Sequence, residues 1–174
     1  MTVEAEFLNF SAEKLEQLCG RIEACLGRLT YEQVWMRNSA NEKAVGNLVL
    51  HLCGNVTQWI GAGVASRPDV RHRDEEFAAR GEVQPEELKT RIRAVVDDAI
   101  AVLRGLPAER LMERIVVQNY DQSVLDAIYH IVEHFSMHTG QILFATKLLT
   151  GADLGYYRHL SAAGAGRQHG ERVP

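Results

Sequence analysis

Three histidines recur at four-residue intervals in the last third of the chain, at His130, His134 and His138. In an α-helix this spacing projects all three from one side, with a drift of about 40° per step. His130 and His138 are then separated by about 12 Å of helical rise, whereas an imidazole nitrogen binds a metal at about 2.1 Å, so one ion cannot easily bind all three. The spacing predicts a metal-binding pair and does not choose between His130 with His134 and His134 with His138.

A third ligand has to come from another helix, and His51 is the histidine that lies deep inside one. Burying unpaired imidazoles is costly, and a metal ion is the commonest group that repays this cost. These histidines therefore predict a site that holds one divalent ion. The alternative is a metal-free helical protein in which the imidazoles are packing residues with hydrogen-bonded nitrogens.

Four further side chains are candidates to orient the ligands from behind. They share the faces of the predicted ligands or border them, and they are Asn55, Gln58, Gln141 and His130. Glu133 is turned away on the helical wheel, and Cys53 lies only two residues from His51 and hence on another face. Because no Cys, Asp or Glu presents itself as a fourth ligand, the sequence favours an open site over a closed structural one. In the other interpretation, each polar candidate is a surface or structural residue.

The elements that would position these residues are helical. Apolar residues at three- and four-residue intervals predict a first helix over residues 5–29. A second helix is predicted to begin at a capping box of Ser39 and Glu42, to carry an apolar stripe from Val45 to Ile60, and to end in the glycine-rich stretch before Pro68. Residues 66–84 lack sustained apolar periodicity and predict a long charged connection with room for a helical turn. Long loops in compact domains are often lids.

The second half of the chain predicts two more helices. The third runs from Pro85 to Gly105, and the fourth begins at a capping box of Ser123 and Asp126 and ends at Gly151. Residues 106–122 between them are either a short strand or an extended link. The sequence thus predicts an all-α fold with one domain over residues 1–160, followed by a tail at residues 161–174.

Composition excludes several classes of partner. The 174 residues carry 19 Lys and Arg against 23 Asp and Glu, a net charge of −4 without a long block of one sign, so we expect no nucleic acid partner. The three cysteines, Cys19, Cys25 and Cys53, lack CxxC spacing, and no apolar run approaches the roughly 20 residues of a membrane span. We therefore expect a cytoplasmic protein with no membrane partner.

The segment His134-Phe-Ser-Met-His138-Thr-Gly-Gln-Ile142, together with Asn47-Leu-Val-Leu-His51 in an earlier helix, resembles the DinB-like superfamily of metal-binding four-helix proteins. The resemblance spans roughly residues 5–160. It implies that His51, His134 and His138 are the ligands, and that the fold is a four-helix bundle, up-up-down-down, with a long connection between helices two and three. It also implies zinc, nickel or a similar ion, and a homodimer.

This resemblance leaves the function open between two classes. The superfamily includes transferases and isomerases that use bacterial low-molecular-weight thiols, so we expect a metal-dependent enzyme that activates a thiol or water toward a small electrophilic substrate. An open site with three neutral imidazoles suits either chemistry. The alternative is a non-catalytic metal-binding protein with a structural, sensory or stress-related role.

Overall fold

The computed structural model describes residues 2–158, and this part of the chain is mostly helical. Its α-helices are α1 (Val3–Leu26), α2 (Tyr31–Trp35), α3 (Val45–Val56), α4 (Arg73–Ala78), α5 (Pro85–Gly105) and α6 (Val124–Thr150). A π-helix (Thr57–Val64) continues α3, and a 3₁₀-helix (Ala108–Met112) and two strands, β1 (Arg114–Val117) and β2 (Tyr120–Ser123), separate α5 from α6. The predicted tail at residues 161–174 lies outside the described residues.

Both ends of α6, the helix that carries the three spaced histidines, follow the prediction. The Ser123 hydroxyl accepts from the Asp126 amide at 3.0 Å, and the Asp126 carboxylate accepts from the Ser123 amide at 3.2 Å, so a capping box begins the helix. Gly151 ends it in the left-handed conformation with φ 66°, which a residue without a Cβ adopts at little cost.

The start of the helix that carries His51 differs from the prediction. Ser39 and Glu42 form only a turn, because the Glu42 carboxylate accepts from the Asn38 amide instead of capping a helix. The helix begins at Val45, where the Asn47 side chain accepts from the Ala44 amide at 3.2 Å. Asn47 thus supplies the cap from inside the first turn.

The first predicted helix is too long, and a short helix after it was missed. The first helix ends at Leu26 rather than at residue 29; Leu29 is still buried, so its apolar spacing extended the helical pattern beyond the true end. A capping box of Thr30 and Gln33 then begins α2. The same Thr-x-x-Gln spacing is visible in the sequence and could have predicted α2.

The backbone after α3 widens into a π-helix, where a uniform α-helix was expected. The Ala65 amide donates to the Ile60 carbonyl and the Arg67 amide to the Gly61 carbonyl, at 2.9 and 3.1 Å. Such wider turns are frequent at functional sites. Trp59, in the first turn of this π-helix, lies beside the histidines described below.

Residues 106–122 contain the strand that was one of their two predicted alternatives. β1 pairs antiparallel with β2, from Arg114 opposite Ser123 to Val117 opposite Tyr120. Gln118 and Asn119 join them with φ 52° and 66°, the pattern of a type I′ hairpin turn. The hairpin leads directly into α6.

Helices α1, α3, α5 and α6 bury one hydrophobic core, in which α1 and α3 each contact both α5 and α6. The largest buried side chains come from all four helices and include Leu15, Leu52, Ile92 and Phe135. No helix among residues 2–158 is both long and apolar enough to cross a membrane.

Contacts of α2 show which helix ends lie together. The Gln33 amide donates to the Leu149 carbonyl at the end of α6, and the Trp35 indole donates to the Val83 carbonyl just before α5. The Trp35 ring also lies against Gly46 in the first turn of α3. Since α2 closely follows the end of α1, the ends of α1 and α6 and the beginnings of α3 and α5 lie on one side.

These contacts correct the predicted up-up-down-down order. Helices α1 and α6 run toward α2 while α3 and α5 run away from it, which gives the order up, down, down, up. At the opposite side, Arg110 donates to the Val64 carbonyl at the end of the π-helix, and the Val124 amide of α6 donates to the Glu113 carbonyl. The short segment with α2 reverses the chain direction, so α3 runs antiparallel to α1. The long connection with α4 returns the chain to the α2 side, so α5 runs parallel to α3.

Candidate metal centre

Helices α3 and α6 bring three histidines together. The Nε2 atoms of His51 and His134 are 2.9 Å apart, and one ring nitrogen from each of His51, His134 and His138 lies within 4.8 Å of the others. His51 is buried and the other two are partly buried. His130 is outside this cluster: its ring stacks on His134 with centroids 5.4 Å apart and lies tilted against Trp59 with centroids 4.3 Å apart.

The separation of one pair of nitrogens is close to that expected around a shared cation. Two nitrogens that each bind an ion at about 2.1 Å lie about 3.0 Å apart when the bonds make a right angle and about 3.4 Å apart when the angle is tetrahedral. The Nε2 atoms of His51 and His134 are 2.9 Å apart, close to the first of these values. Imidazole nitrogens are also the usual ligands of zinc and of neighbouring divalent transition metals, so the donor set fits such an ion.

Glu76 supports His51 from behind. Its Oε2 lies 2.9 Å from His51 Nδ1, and Arg71 in turn holds this carboxylate through Nε to Oε1 at 2.7 Å and through the second guanidinium nitrogen to Oε2 at 2.9 Å. The side chains of Arg71 and Glu76 are 3% and 9% exposed, so this is a buried ion pair. A histidine ligand that donates to a carboxylate in this way has its ring orientation and tautomer set.

The charge of Glu76 decides the tautomer of His51. Burial raises the pKa of Glu76, but hydrogen bonds from Arg71 and His51, together with their charges, outweigh burial and hold the pKa below its ordinary value. An ionised carboxylate carries no proton, so His51 Nδ1 must donate to it. Arg71 also lies 3.1 Å from Nδ1, but both nitrogens are donors and this approach is no hydrogen bond. The lone pair of His51 is therefore at Nε2, toward His134.

Gln141 sets the tautomer of His138. Its Oε1 lies 2.8 Å from His138 Nδ1, and because an amide oxygen only accepts, Nδ1 carries the proton and Nε2 has the lone pair. Gln141, one of the four candidates for orienting a ligand, therefore contacts His138 directly. Gln58 does not contact the histidines; it binds Arg71, Asp69 and Gln118.

Glu76 and Arg71 were not among the predicted site residues, because both lie in the connection over residues 66–84. The only signal was the charge of that segment, where several acidic residues were equivalent candidates. In the structure, α4 packs against α3 and buries Glu76, whereas Asp74 and Glu75 remain exposed.

The imidazoles of the cluster on α6 are neutral near pH 7. Burial, and secondarily the nearby His138, His51 and His130, lower the pKa of His134 to about 3. Burial also lowers the pKa of His138, against the opposing hydrogen bond to Gln141, and the pKa of His130. Neutral imidazoles are the form that binds a metal, so no proton has to leave before binding at neutral pH.

A cavity of about 420 Å³ opens beside the cluster. It is lined by His51 and His134 from the cluster, by Asn55, Trp59 and His130 from the same helices, and by residues of the hairpin and the long connection. His51 and His134 therefore border a space large enough for a small molecule.

The fold and the site define a class: helical proteins in which three histidines from two helices converge beside an open, polar cavity. The chain belongs to the family described as "Protein of unknown function (DUF1572)", which matches residues 2–164. It is similar in structure to a protein whose description is "Crystal structure of the conserved protein of locus from Enterococcus faecalis", with a TM-score of 0.73 and 19% identity over 87% of this chain and 99% of that chain. At this identity the likeness shows the fold alone. A comparison with curated proteins found no match.

Proposed function

We propose that this protein is a metal-dependent enzyme in which His51, His134 and His138 hold one divalent ion, zinc or nickel. The observation that carries the proposal is the convergence of these three imidazoles, from two helices, at the edge of a cavity. The resemblance of the HFSMHTGQI segment to the DinB-like superfamily supports the same ligand set.

The residues around the cluster have distinct tasks in this proposal. Glu76 and Gln141 orient the rings of His51 and His138 so that each presents Nε2, and Arg71 holds Glu76 in place. Three neutral ligands do not reduce the charge of a divalent ion, which would then acidify a bound thiol or water. The acidified group would attack a small electrophile, either in a transfer from a low-molecular-weight thiol or in a hydrolysis.

Catalysis is favoured over a non-catalytic metal site by the absence of a closing ligand. Structural zinc sites have four protein ligands, whereas catalytic sites have three and leave a position open. Among residues 2–158, the residues that come together as possible ligands are the three histidines. Glu76, the carboxylate that contacts them, bonds His51 Nδ1, on the side of the ring away from His134, and is not part of this group. The cavity next to His51 and His134 supports the presence of an accessible position.

Metal analysis of the purified protein tests the proposal. We expect one divalent ion per chain, and less than a tenth of that in the His134→Ala and His138→Ala variants. His72→Ala is the matched control, because His72 is exposed and does not belong to the cluster, and it should retain the ion. Equal metal content in the parent protein and all three variants would contradict the proposed metal site.

Turnover is tested separately. The metal-loaded protein is incubated with an electrophile and glutathione, bacillithiol or mycothiol in turn, and without thiol for hydrolysis. Activity that disappears in His134→Ala supports the enzyme, whereas full activity in that variant would contradict it.

A further inference from the structure

The cavity beside the histidines has an unusual charge balance. The described residues that line it include two arginines and no aspartate or glutamate. Arg71 is neutralised by Glu76, which lies behind the wall of the cavity. Arg73 has no acidic partner among residues 2–158; its guanidinium lies over the Phe77 ring, 5.1 Å from the centroid. The cavity therefore presents one uncompensated positive charge.

The same cavity contains buried polar atoms that are not satisfied by the protein. Trp59 Nε1, Gln122 Nε2 and Asn55 Oδ1 find no hydrogen-bond partner among the described residues, and all three side chains line this cavity. Trp59 and Asn55 are 3% and 4% exposed. An unpaired buried donor costs about 1–3 kcal/mol, so native proteins rarely leave such groups without an ordered water or a ligand as partner.

Two of these atoms, Trp59 Nε1 and Gln122 Nε2, are donors on side chains that line the cavity together with Arg73. Their hydrogens can be accepted only by a group with lone pairs, and the cationic side chain favours an anion. A carboxylate has two oxygens that accept several hydrogen bonds and one negative charge, which equals the one uncompensated charge of the cavity.

We propose that this cavity is a subsite for the carboxylate of a small acidic substrate, bound by Trp59 Nε1, Gln122 Nε2 and Arg73. The proposal deepens the proposed function and rests on it, because it names the substrate of the metal centre as a carboxylic acid. His130, whose ring contacts the rings of Trp59 and His134, lines the same cavity.

The two tryptophans of the chain allow a direct test, since each gives one indole N–H signal in a ¹⁵N-correlated NMR spectrum. The full chain, without metal and then loaded with zinc, is titrated with propionate and with propanamide, its neutral counterpart. We expect propionate to move the Trp59 signal in a saturable way in both forms, and propanamide to leave it unmoved. The Trp35 signal is the internal reference, because its indole donates to the Val83 carbonyl at 3.0 Å. Trp35→Phe and Trp59→Phe assign the signals.

Arg73→Gln tests the charge without a risk to the core, because Arg73 is exposed. We expect it to weaken propionate binding about tenfold or more, as for the loss of a hydrogen bond to a charged group. Arg104→Gln, an exposed arginine that does not line the cavity, should bind propionate as the parent does. The subsite is overturned if the Trp59 signal does not move, if propanamide moves it equally, or if both arginine variants behave alike. Loss of zinc binding with an intact propionate response would instead contradict the metal centre and leave the subsite standing.

Discussion

At the scale of single residues, the centre depends on a chain of contacts from Arg71 through Glu76 to His51. Each contact sets the next: the arginine holds the carboxylate, the carboxylate takes the Nδ1 hydrogen, and Nε2 then faces His134. Groups that hold a metal ligand from behind raise its basicity and fix its orientation. Glu76 is therefore a positioning residue for the proposed metal site.

We expect Glu76→Gln to weaken zinc binding about 10–100-fold, because the amide can accept from His51 but no longer carries the charge that stabilises the ligand. The measurement is competition with a chromophoric chelator, after circular dichroism has shown that the variant is folded. Glu75→Gln is the matched control, since Glu75 is exposed and adjacent. A zinc affinity for Glu76→Gln within twofold of the parent would contradict this role.

The lowered pKa of His134 predicts a pH dependence of stability for the metal-free protein. The unfolded chain takes up a proton at this residue near its ordinary pKa of about 6.5, whereas the folded protein does so only near pH 3. The unfolded state therefore binds more protons in that window, and the free energy of unfolding falls as the pH is lowered from 7 to 5. Urea denaturation at three pH values in this range, above the titration of most carboxylates, measures the slope.

His134→Gln removes this titration and should reduce the slope. The remaining slope comes from His138 and His130, whose pKa values are also lowered, mainly by burial. An identical slope in the variant would show that His134 titrates normally in the folded protein.

At the scale of elements, α3 and α4 must approach closely for the carboxylate to reach His51. Gly54, one turn after His51 on α3, makes this possible: a Cβ built there would lie 1.9 Å from Glu76 Oε1 and 3.1 Å from Arg71 Nε. The carboxylate is the mobile end of a side chain, but its hydrogen bonds to Arg71 and His51 hold it. A larger residue at position 54 has to break them.

We therefore expect Gly54→Ala to weaken zinc binding and to lower the free energy of unfolding, although alanine favours a helix over glycine by about 1 kcal/mol. Gly20→Ala in α1 is the matched control, because a Cβ there meets nothing within 4 Å. The free energy of unfolding of Gly20→Ala should rise by up to about 1 kcal/mol, and its zinc affinity should stay the same. If both variants gain stability and bind zinc equally, the missing Cβ at Gly54 is not required for the hydrogen bonds of Glu76.

At the scale of the whole molecule, the homodimer is a prediction that one helix face can test. Four large apolar side chains on α6 are between 47% and 70% exposed: Tyr129, Met137, Phe144 and Leu148. Their spacing places them within a sector of about 100° along most of the helix. An exposed apolar stripe of this length is the kind of surface that a second copy covers.

We expect a dimeric mass by light scattering at micromolar concentration, and a monomeric mass for a Phe144→Gln, Leu148→Gln double variant. Both side chains are exposed, so the double variant should fold and keep its zinc affinity. Val116→Gln in the hairpin, at 69% exposure, is a control that should stay dimeric. A monomeric parent protein would contradict the dimer and leave the metal centre untouched.

Several features of the fold were predictable because they depend on local sequence. Apolar periodicity and the Ser123–Asp126 capping box predicted α6 with both its ends, since a helix and its cap are stabilised within a few residues. Where two local signals competed, the prediction was wrong. Ser39 and Glu42 have the spacing of a cap, but the Glu42 carboxylate bonds Asn38 and the helix begins later.

The sequence by itself determined that His134 and His138 share a helix face and that His51 lies within another helix, because 3.6 residues per turn are a property of the backbone. Only the tertiary structure decided that α3 runs antiparallel to α6, which brings His51 to His134, and that α4 places Glu76 behind His51. Contacts between residues 25 and 83 positions apart depend on how the helices pack, and no local spacing records them.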